Sequence, residues 1–314
     1  RFLHVRLTPV LASNCAGPYA VGYPSHLCIE HGDAYHRGMK PSVVIIGAGS
    51  MGLILAEGLV RGGWRASDLQ LVAHRGERAT EVERLTGIPT SLDAGSAVQG
   101  RDVVVLAVKP KDIQAVCAAI LPQLSTEQIV LSIAAGVPLS VYQSLLPDSP
   151  VIRSMPNTPA AVDEGMTAFC APPGTSDQVL KRAEIVLEAM GQTIYLSEDL
   201  MDAVTAVSGS GPAYIFLLAE ALTEAAIREG LPHHAAEKLV LQTIRGAGLL
   251  AQTSDKSAFR LRAEVTSPGG TTSAALHVLE NSGFRTMIED AVRAAAQRSR
   301  ELGATAVALS TESE

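Results

Sequence analysis

Hydrophobic positions fall into two regimes along this chain. Up to about residue 153 they come in short, often β-branched runs. These are Ser42-Val-Val-Ile-Ile46, Leu69-Gln-Leu-Val-Ala73, Asp102-Val-Val-Val-Leu-Ala-Val108, Ile129-Val-Leu-Ser-Ile-Ala134 and Val151-Ile152-Arg153. Uninterrupted apolar runs of this length, bounded by Gly and Pro, read as strands buried on both faces. From Asp199 such runs disappear, and apolar residues recur at helical spacing instead. Helices are predicted over Met201–Val207, Ala213–Glu229, His234–Gln252, Thr272–Glu280 and Phe284 to about Leu302. The helix Ala213–Glu229 is apolar nearly all round, through Ile215, Phe216, Leu217, Leu218, Ala221, Leu222 and Ala225. Such a helix belongs in a core or a subunit interface.

The first run leads directly into Gly47-Ala48-Gly49-Ser50-Met51-Gly52, and a helical pattern follows from Leu53 to Arg61. A G-x-G-x-x-G segment between a strand and a helix is the setting in which glycines cradle a dinucleotide. Gly47 permits the tight turn, Gly49 lets backbone approach a pyrophosphate, and Gly52 lets helix and strand pack closely. The helix N-terminus adds free N–H groups and a positive dipole. The fold expected is therefore α/β, a Rossmann-type doubly wound sheet followed by an all-helical domain. The second strand ends in His74-Arg75-Gly76, with no acid to bond a ribose 2′-hydroxyl. Arg75 suits the 2′-phosphate of NADPH instead, because guanidinium grips phosphate through two donors. The later strands end in Lys109-Pro110, in Ala135-Gly136-Val137-Pro138 and in Ser154-Met155-Pro156-Asn157-Thr158-Pro159. In open parallel sheets these carboxyl ends face the ligand.

Composition narrows the classes. The chain has 314 residues, 47% of them hydrophobic and 18% charged, which excludes a disordered chain and fits two domains of ~100–200 residues each. With 25 basic and 32 acidic residues the net charge is −7, and no basic footprint for nucleic acid is present. The uncharged stretch Gln128–Pro147 approaches the ~20 residues of a membrane span. Gly136-Val137-Pro138 breaks it, so it reads as strand, turn and helix, and no membrane partner is expected. The cysteines Cys15, Cys28, Cys117 and Cys170 form no C-x-x-C pair and read as buried thiols rather than metal ligands. Residues 1–38 show no period and hold His4, His26, His31 and His36 at irregular spacing, which gives no metal signature. Pro9, Ser13 and Asn14 interrupt any signal-like apolar run. The segment reads as a disordered or non-native extension. The expected division is 39–198 for the dinucleotide domain, 199–308 for the helical domain and 309–314 for a tail.

A second segment carries chemistry. Glu264-Val-Thr-Ser-Pro-Gly-Gly-Thr-Thr-Ser273 places hydroxyls and two glycines directly before a predicted helix. Glycines at a helix start make an anion cradle. The same residues also serve as ordinary caps and turns. No strong general base accompanies them, because Ala213–Glu229 lacks Lys, His and Asp, and no nucleophile triad or H-E-x-x-H motif is present.

Residues 39 to about 303 resemble the pyrroline-5-carboxylate reductase family. The resemblance rests on motifs in order: Gly47-Ala-Gly-Ser-Met-Gly52, Ala107-Val-Lys-Pro110, Ala134-Ala-Gly-Val137, Met155-Pro-Asn-Thr-Pro159, Ser208-Gly-Ser-Gly-Pro-Ala-Tyr214 and Thr266-Ser-Pro-Gly-Gly-Thr-Thr272. It implies NADPH, with NADH as the alternative, reducing the ring C=N bond of 1-pyrroline-5-carboxylate in the last step of proline biosynthesis. It also implies a cytoplasmic homodimer that assembles into a decamer. Cofactor contacts are expected at Gly47, Ala48, Gly49, Ser50, Met51, Gly52, His74, Arg75, Ala107, Val108, Lys109, Pro110, Ile133, Ala134 and Ala135. Substrate contacts are expected at Ser267, Gly270, Thr271 and Thr272, with Thr272 at the reacting nitrogen. Two positions depart from the family pattern: Asp93-Ala94 stands near a customary Asn, and Glu264 stands where many members have Asn. Two rivals differ in kind. A β-hydroxyacid dehydrogenase would want a lysine on the helix after Gly-Ser-Gly, and a non-catalytic nucleotide sensor would leave Ser267–Thr272 without a purpose.

Overall fold

A computed structural model describes residues 40–311, with side chains through residue 308. The extension expected over residues 1–38, with Cys15, Cys28 and the four early histidines, lies outside the described residues, as do residues 312–314 of the expected tail. The first part alternates strand and helix: β1 (Val43–Ile46), α1 (Ser50–Arg61), β2 (Leu69–Val72), α2 (Gly76–Thr86), β3 (Thr90–Ser91), α3 (Ala94–Ala97), β4 (Val103–Leu106), α4 (Ile113–Ile120), β5 (Ile129–Ser132), α5 (Leu139–Leu145), β6 (Val151–Met155), β7 (Gly165–Cys170), α6 (Asp177–Leu187) and β8 (Gly191–Tyr195). Six helices follow: α7 (Met201–Val204), α8 (Gly211–Arg228), α9 (His233–Thr253), α10 (Ala258–Glu264), α11 (Thr271–Asn281) and α12 (Phe284–Thr311).

The strands form one sheet in the order β3-β2-β1-β4-β5-β6-β7-β8. Strands β1 to β6 run parallel, and β7 pairs antiparallel with β6. Strand alternation explains the continuous apolar runs. Val43 and Ile45 enter one core with Leu55, Leu59, Val82 and Val186, from α1, α2 and α6. Val44 and Ile46 enter the opposite core with Ile113, Ile120 and Tyr142, from α4 and α5. Both faces are thus covered by helices, as a doubly wound sheet requires. Cys117 and Cys170 are buried free thiols, and burial pushes both up to about 12, so they stay protonated at neutral pH.

The structure differs from the pattern at several elements. Strands β3, β7 and β8 and helices α2, α3, α4, α6 and α10 were not singled out by it. The stretch expected as strand, turn and helix is β5, a turn at Gly136 with φ +77° and α5. Helix α12 runs to Thr311, past Leu302. The break expected after Val207 is instead a π-helical turn over Thr205–Gly209, closed by Ser210 N–H donating to the Thr205 carbonyl at 2.8 Å. Pro212 sits in the first turn of α8, where its missing N–H costs no helical bond. Among the described residues no helix is long and apolar enough to cross a membrane.

Close packing of α1 against the turn Glu188–Met190 that follows α6 leaves one sharp test. A Cβ at Gly58 would collide with the Ala189 carbonyl oxygen, which is backbone and cannot swing away. Alanine is the better helix former by ~1 kcal/mol. The clash outweighs that gain, and Gly58→Ala is expected to lose about 1–3 kcal/mol of stability in a urea melt. An increase would show that the Ala189 backbone gives way freely.

Candidate active site

Four strand ends converge on one crevice. Strands β1 and β4 are neighbours whose connections run in opposite directions, which makes the gap above them the topological switch point. The loop Gly47–Gly52 follows β1, Ala107–Pro110 follows β4, Ile133–Ala135 follows β5, and His74-Arg75 follows β2. Gly47 N–H donates to the Val72 carbonyl at 2.9 Å, Ala107 N–H to Ile46 at 2.8 Å, and Ile133 N–H to Leu106 at 3.1 Å. The cofactor residues read from the sequence therefore stand together along β2-β1-β4-β5.

Two glycines have distinct tasks there. Gly47 has φ +118°, and a Cβ on it would meet the Ala107 carbonyl. A Cβ on Gly52 would meet the carbonyl of Gly47 itself, so α1 starts directly against the loop. Helix α1 begins at Ser50, earlier than Leu53, because the end of the motif is already its first turn. At Gly49 nothing lies within 4 Å of where a Cβ would stand, and this N-cap position receives no side-chain capping bond. The helix start thus presents uncapped N–H groups to open space, which fits a diphosphate group. His74 and Arg75 are exposed, and Arg75 is the N-cap of α2. Ile133 and Ala134 are buried, Ala135 is exposed, and Ala134 N–H is already held by Ser132 Oγ at 3.2 Å.

Behind the β5 end lies a buried polar group. Ser132 Oγ and Tyr142 OH are 2.5 Å apart, and Ser154 Oγ donates to the Ser132 carbonyl at 2.9 Å. Desolvation raises the Tyr142 phenol well above its usual value, so it stays neutral. Glu198, just past the sheet, accepts from Leu139 N–H at 2.6 Å and from Arg153 Nη1 at 3.0 Å. It thereby ties the start of α5, strand β6 and the entry to the helices. The Met-Pro-Asn-Thr-Pro loop makes a second tie. Asn157 Nδ2 donates to the Ser208 carbonyl at 3.2 Å, while its Oδ1 accepts from Met166 N–H at 2.8 Å. Tyr214 OH donates to the Ala206 carbonyl at 3.0 Å, so side chains supply two bonds to carbonyls of the π turn. Neither Asn157 nor Glu198 was given a role by sequence reasoning; the Pro-Asn-Thr-Pro spelling marked the first, and nothing local marked the second.

The second candidate segment sits apart in the helical part. Gly270 N–H donates to the Ser267 carbonyl at 3.1 Å, with Pro268 and Gly269 (φ +69°) at the turn corners, the signature of a type II turn. Helix α11 starts at Thr271 with Gly270 as N-cap and no side-chain capping bond. Its hydroxyls are therefore not consumed as caps, and its first N–H groups are available to an anion. Ser267 and Thr271 are exposed, and Gly270 and Thr272 are half-buried. Glu264, at the loop entry, accepts from Lys256 Nζ at 2.9 Å and Arg260 Nε at 3.2 Å, and these bonds hold its carboxyl below the usual range. Arg262 reaches Glu280 on α11 at 3.0 Å, so ion pairs bracket the turn. Asp93 at the other departure is the N-cap of α3, its Oδ1 accepting from Gly95 N–H at 3.0 Å. The described hydrogen bonds of the 265–272 loop run to its own neighbours and not to the strand ends.

Comparison with known proteins bears on both segments. A family model for pyrroline-5-carboxylate reductase dimerisation matches residues 198–302, and one for NADP oxidoreductase, coenzyme F420-dependent, matches residues 42–136. The chain is 40% identical over 264 residues to the pyrroline-5-carboxylate reductase of Pseudomonas aeruginosa, covering 83% of this chain and 97% of that one. It is 40% identical over 266 residues to that of Synechocystis, covering 84% and 99%. A pyrroline-5-carboxylate reductase structure from Coxiella burnetii matches with TM-score 0.79 at 36% identity, over 84% of this chain and 99% of that chain. The Plasmodium falciparum pyrroline carboxylate reductase with NADP bound matches with TM-score 0.76 at 29% identity, over 85% and 100%. A glycine loop at the switch point, an uncapped helix start behind a Pro-Gly turn, and identity over nearly the full length of these relatives converge: the chain belongs to the pyrroline-5-carboxylate reductase family, a family of NAD(P)H-dependent oxidoreductases.

Proposed function

We propose that this chain reduces the C=N bond of 1-pyrroline-5-carboxylate to L-proline by dividing the work between the strand-end crevice and the α11 start. The observation that carries this reading is the pair of uncapped helix N-termini, at Gly49 and at Gly270. Each suits one anionic partner: a diphosphate at the first and a carboxylate at the second. NADPH, when bound, supplies the hydride, and NADH is the alternative. The glycine loop, Ala107–Pro110 and Ile133–Ala135 hold the cofactor, with Arg75 beside the 2′-phosphate. The N–H groups of Gly270, Thr271 and Thr272 take the substrate carboxylate, and Ser267 lines the same turn. Thr272 hydrogen-bonds the ring nitrogen and relays to it a proton taken up from water, since a hydroxyl both donates and accepts. A cyclic imine protonates readily and its carbon then accepts hydride, so no strong base is required.

The exposed apolar faces of the helical part support a homodimer, and the family resemblance suggests that such dimers assemble into a decamer. Helix α8 has no buried residue within one chain, with Phe216 60% and Leu217 67% exposed. Of the two settings open to an all-round apolar helix, an interface is therefore the one favoured. Residues 39–198 and 199–308 form the two functional halves of a cytoplasmic enzyme in this reading.

Three outcomes are expected. Thr272→Ala should lower turnover ~100-fold or more at saturating substrate while NADPH binding survives; weaker substrate binding with normal turnover would make Thr272 an anchor only. Arg75→Ala should raise the Michaelis constant for NADPH and leave NADH little changed, whereas equal effects would mean that Arg75 only supports its loop. Sedimentation at micromolar concentration should show no monomer, and a stable, active monomer would rule out the interface.

A further inference from the structure

The glycine loop is gripped from outside by a residue that neither the motif nor the strand ends account for. Arg78 lies in the first turn of α2, three residues after Arg75. Its Nε and Nη2 both donate to the Ala48 carbonyl, at 3.2 and 3.1 Å. Its Nη1 is held by Glu81 one turn on, at 2.7 Å, which fixes the plane of the guanidinium. The side chain is 34% exposed, so water competes only in part for these bonds. Two donors on one oxygen, from a side chain itself held by a carboxylate, make a rigid clamp rather than a passing surface contact.

Rigidity of the peptide gives the clamp a consequence. The Ala48 carbonyl and the Gly49 N–H lie on opposite sides of one planar unit, so fixing the carbonyl fixes the direction of that N–H. Gly49 is the position where open space meets the start of α1. The loop is anchored at Gly47 by Val72 and at Gly49 by the α1 bond from Leu53 N–H at 3.0 Å. Between those anchors, Arg78 provides the side-chain hold on the intervening peptide.

We infer that Arg78 is a positioning residue for the cofactor diphosphate, holding the Ala48–Gly49 peptide so that the glycine loop is set before a dinucleotide arrives. The inference rests on the reading of this loop as the cofactor cradle. It separates Arg78 from Arg75. A residue that sets the cradle acts on any nicotinamide dinucleotide, whereas a residue that reads the 2′-phosphate acts on NADPH alone.

The test is a fluorescence titration of NADPH and of NADH against the unsubstituted chain, Arg78→Gln and Arg78→Lys. Arg78→Gln should weaken both cofactors by a similar factor of about five to ten, the low end of a charge-assisted hydrogen bond because the site is partly exposed. Arg78→Lys should recover part of that loss, since an ammonium restores one donor but not the fork. In steady-state kinetics the Michaelis constants of both cofactors should rise while turnover at saturation moves less than twofold. Unchanged binding of both cofactors by Arg78→Gln would overturn the inference. Loss confined to NADPH would also overturn it, making Arg78 a second reader of the 2′-phosphate. Absence of binding by the unsubstituted chain would overturn the cradle reading itself, whatever Arg78 does.

Discussion

The arrangement of the first half depends on how closely the start of α1 approaches the ends of β1 and β4. That approach is possible only because two positions lack a side chain. Gly47 leaves room for the Ala107 carbonyl, and Gly52 leaves room for the carbonyl of Gly47. With both absent, the helix axis points its uncapped N–H groups across the switch point instead of away from it. The neighbouring strand ends then complete the wall. Among the described residues, positive charge comes from the exposed Lys109 after β4 and from the β2 side, where Arg75 stands exposed and Arg78 reaches back to the loop.

The helical half obeys the opposite economy. Within one chain it buries few side chains, Met201, Ala206, Ala236, Val240 and Ser299 among them, and leaves broad apolar faces on α8, α9 and α11. Met201, Val204 and Ala306 pack into the core beneath one face of the sheet, and polar ties add to this. Glu198 holds the start of α5, Asn157 holds the π turn, and Ser299 on α12 donates to Asp202 on α7 at 2.6 Å. Helix α12 also returns to the β5 end, where Leu302 and Gly303 pack against the Gly136 turn. A domain so built keeps its own geometry through helix contacts and gains its covering from another surface, in keeping with the proposed dimer.

Much of this was legible in the sequence, for identifiable reasons. Strands β1, β4 and β5 announce themselves because both faces are buried, so every position is apolar except the buried Ser132 that ends β5. Strand β8 does not, because it carries Gln192 and Thr193 at the far edge of the sheet, with no fully buried position. The glycine loop was readable because Gly47 and Gly52 answer local backbone demands at the spacing of a strand-to-helix turn. The π turn was not, since it depends on bonds from Asn157 and Tyr214 at longer range. Arg78 escaped for a similar reason. A basic residue on an exposed helix face carries no local mark, and only the fold brings it within reach of Ala48. The hydroxyl-rich turn before α11 left caps and anion cradle equally open, and in the structure the N-cap position falls to Gly270, which has no side chain to cap with.

Gly49 offers the most direct test of the central claim, that the start of α1 is a phosphate cradle. Nothing lies within 4 Å of its missing Cβ, and its φ of −83° suits any residue, so Gly49→Val should leave the fold intact. A dinucleotide approaching that peptide would meet the new side chain. Titration of NADPH against Gly49→Val, with a thermal melt of the same sample, is the measurement. The account predicts a melting temperature within a few degrees of the unsubstituted chain and cofactor binding weakened at least about tenfold, the loss expected when a close phosphate contact is blocked. Unchanged binding by a normally folded Gly49→Val chain would contradict it.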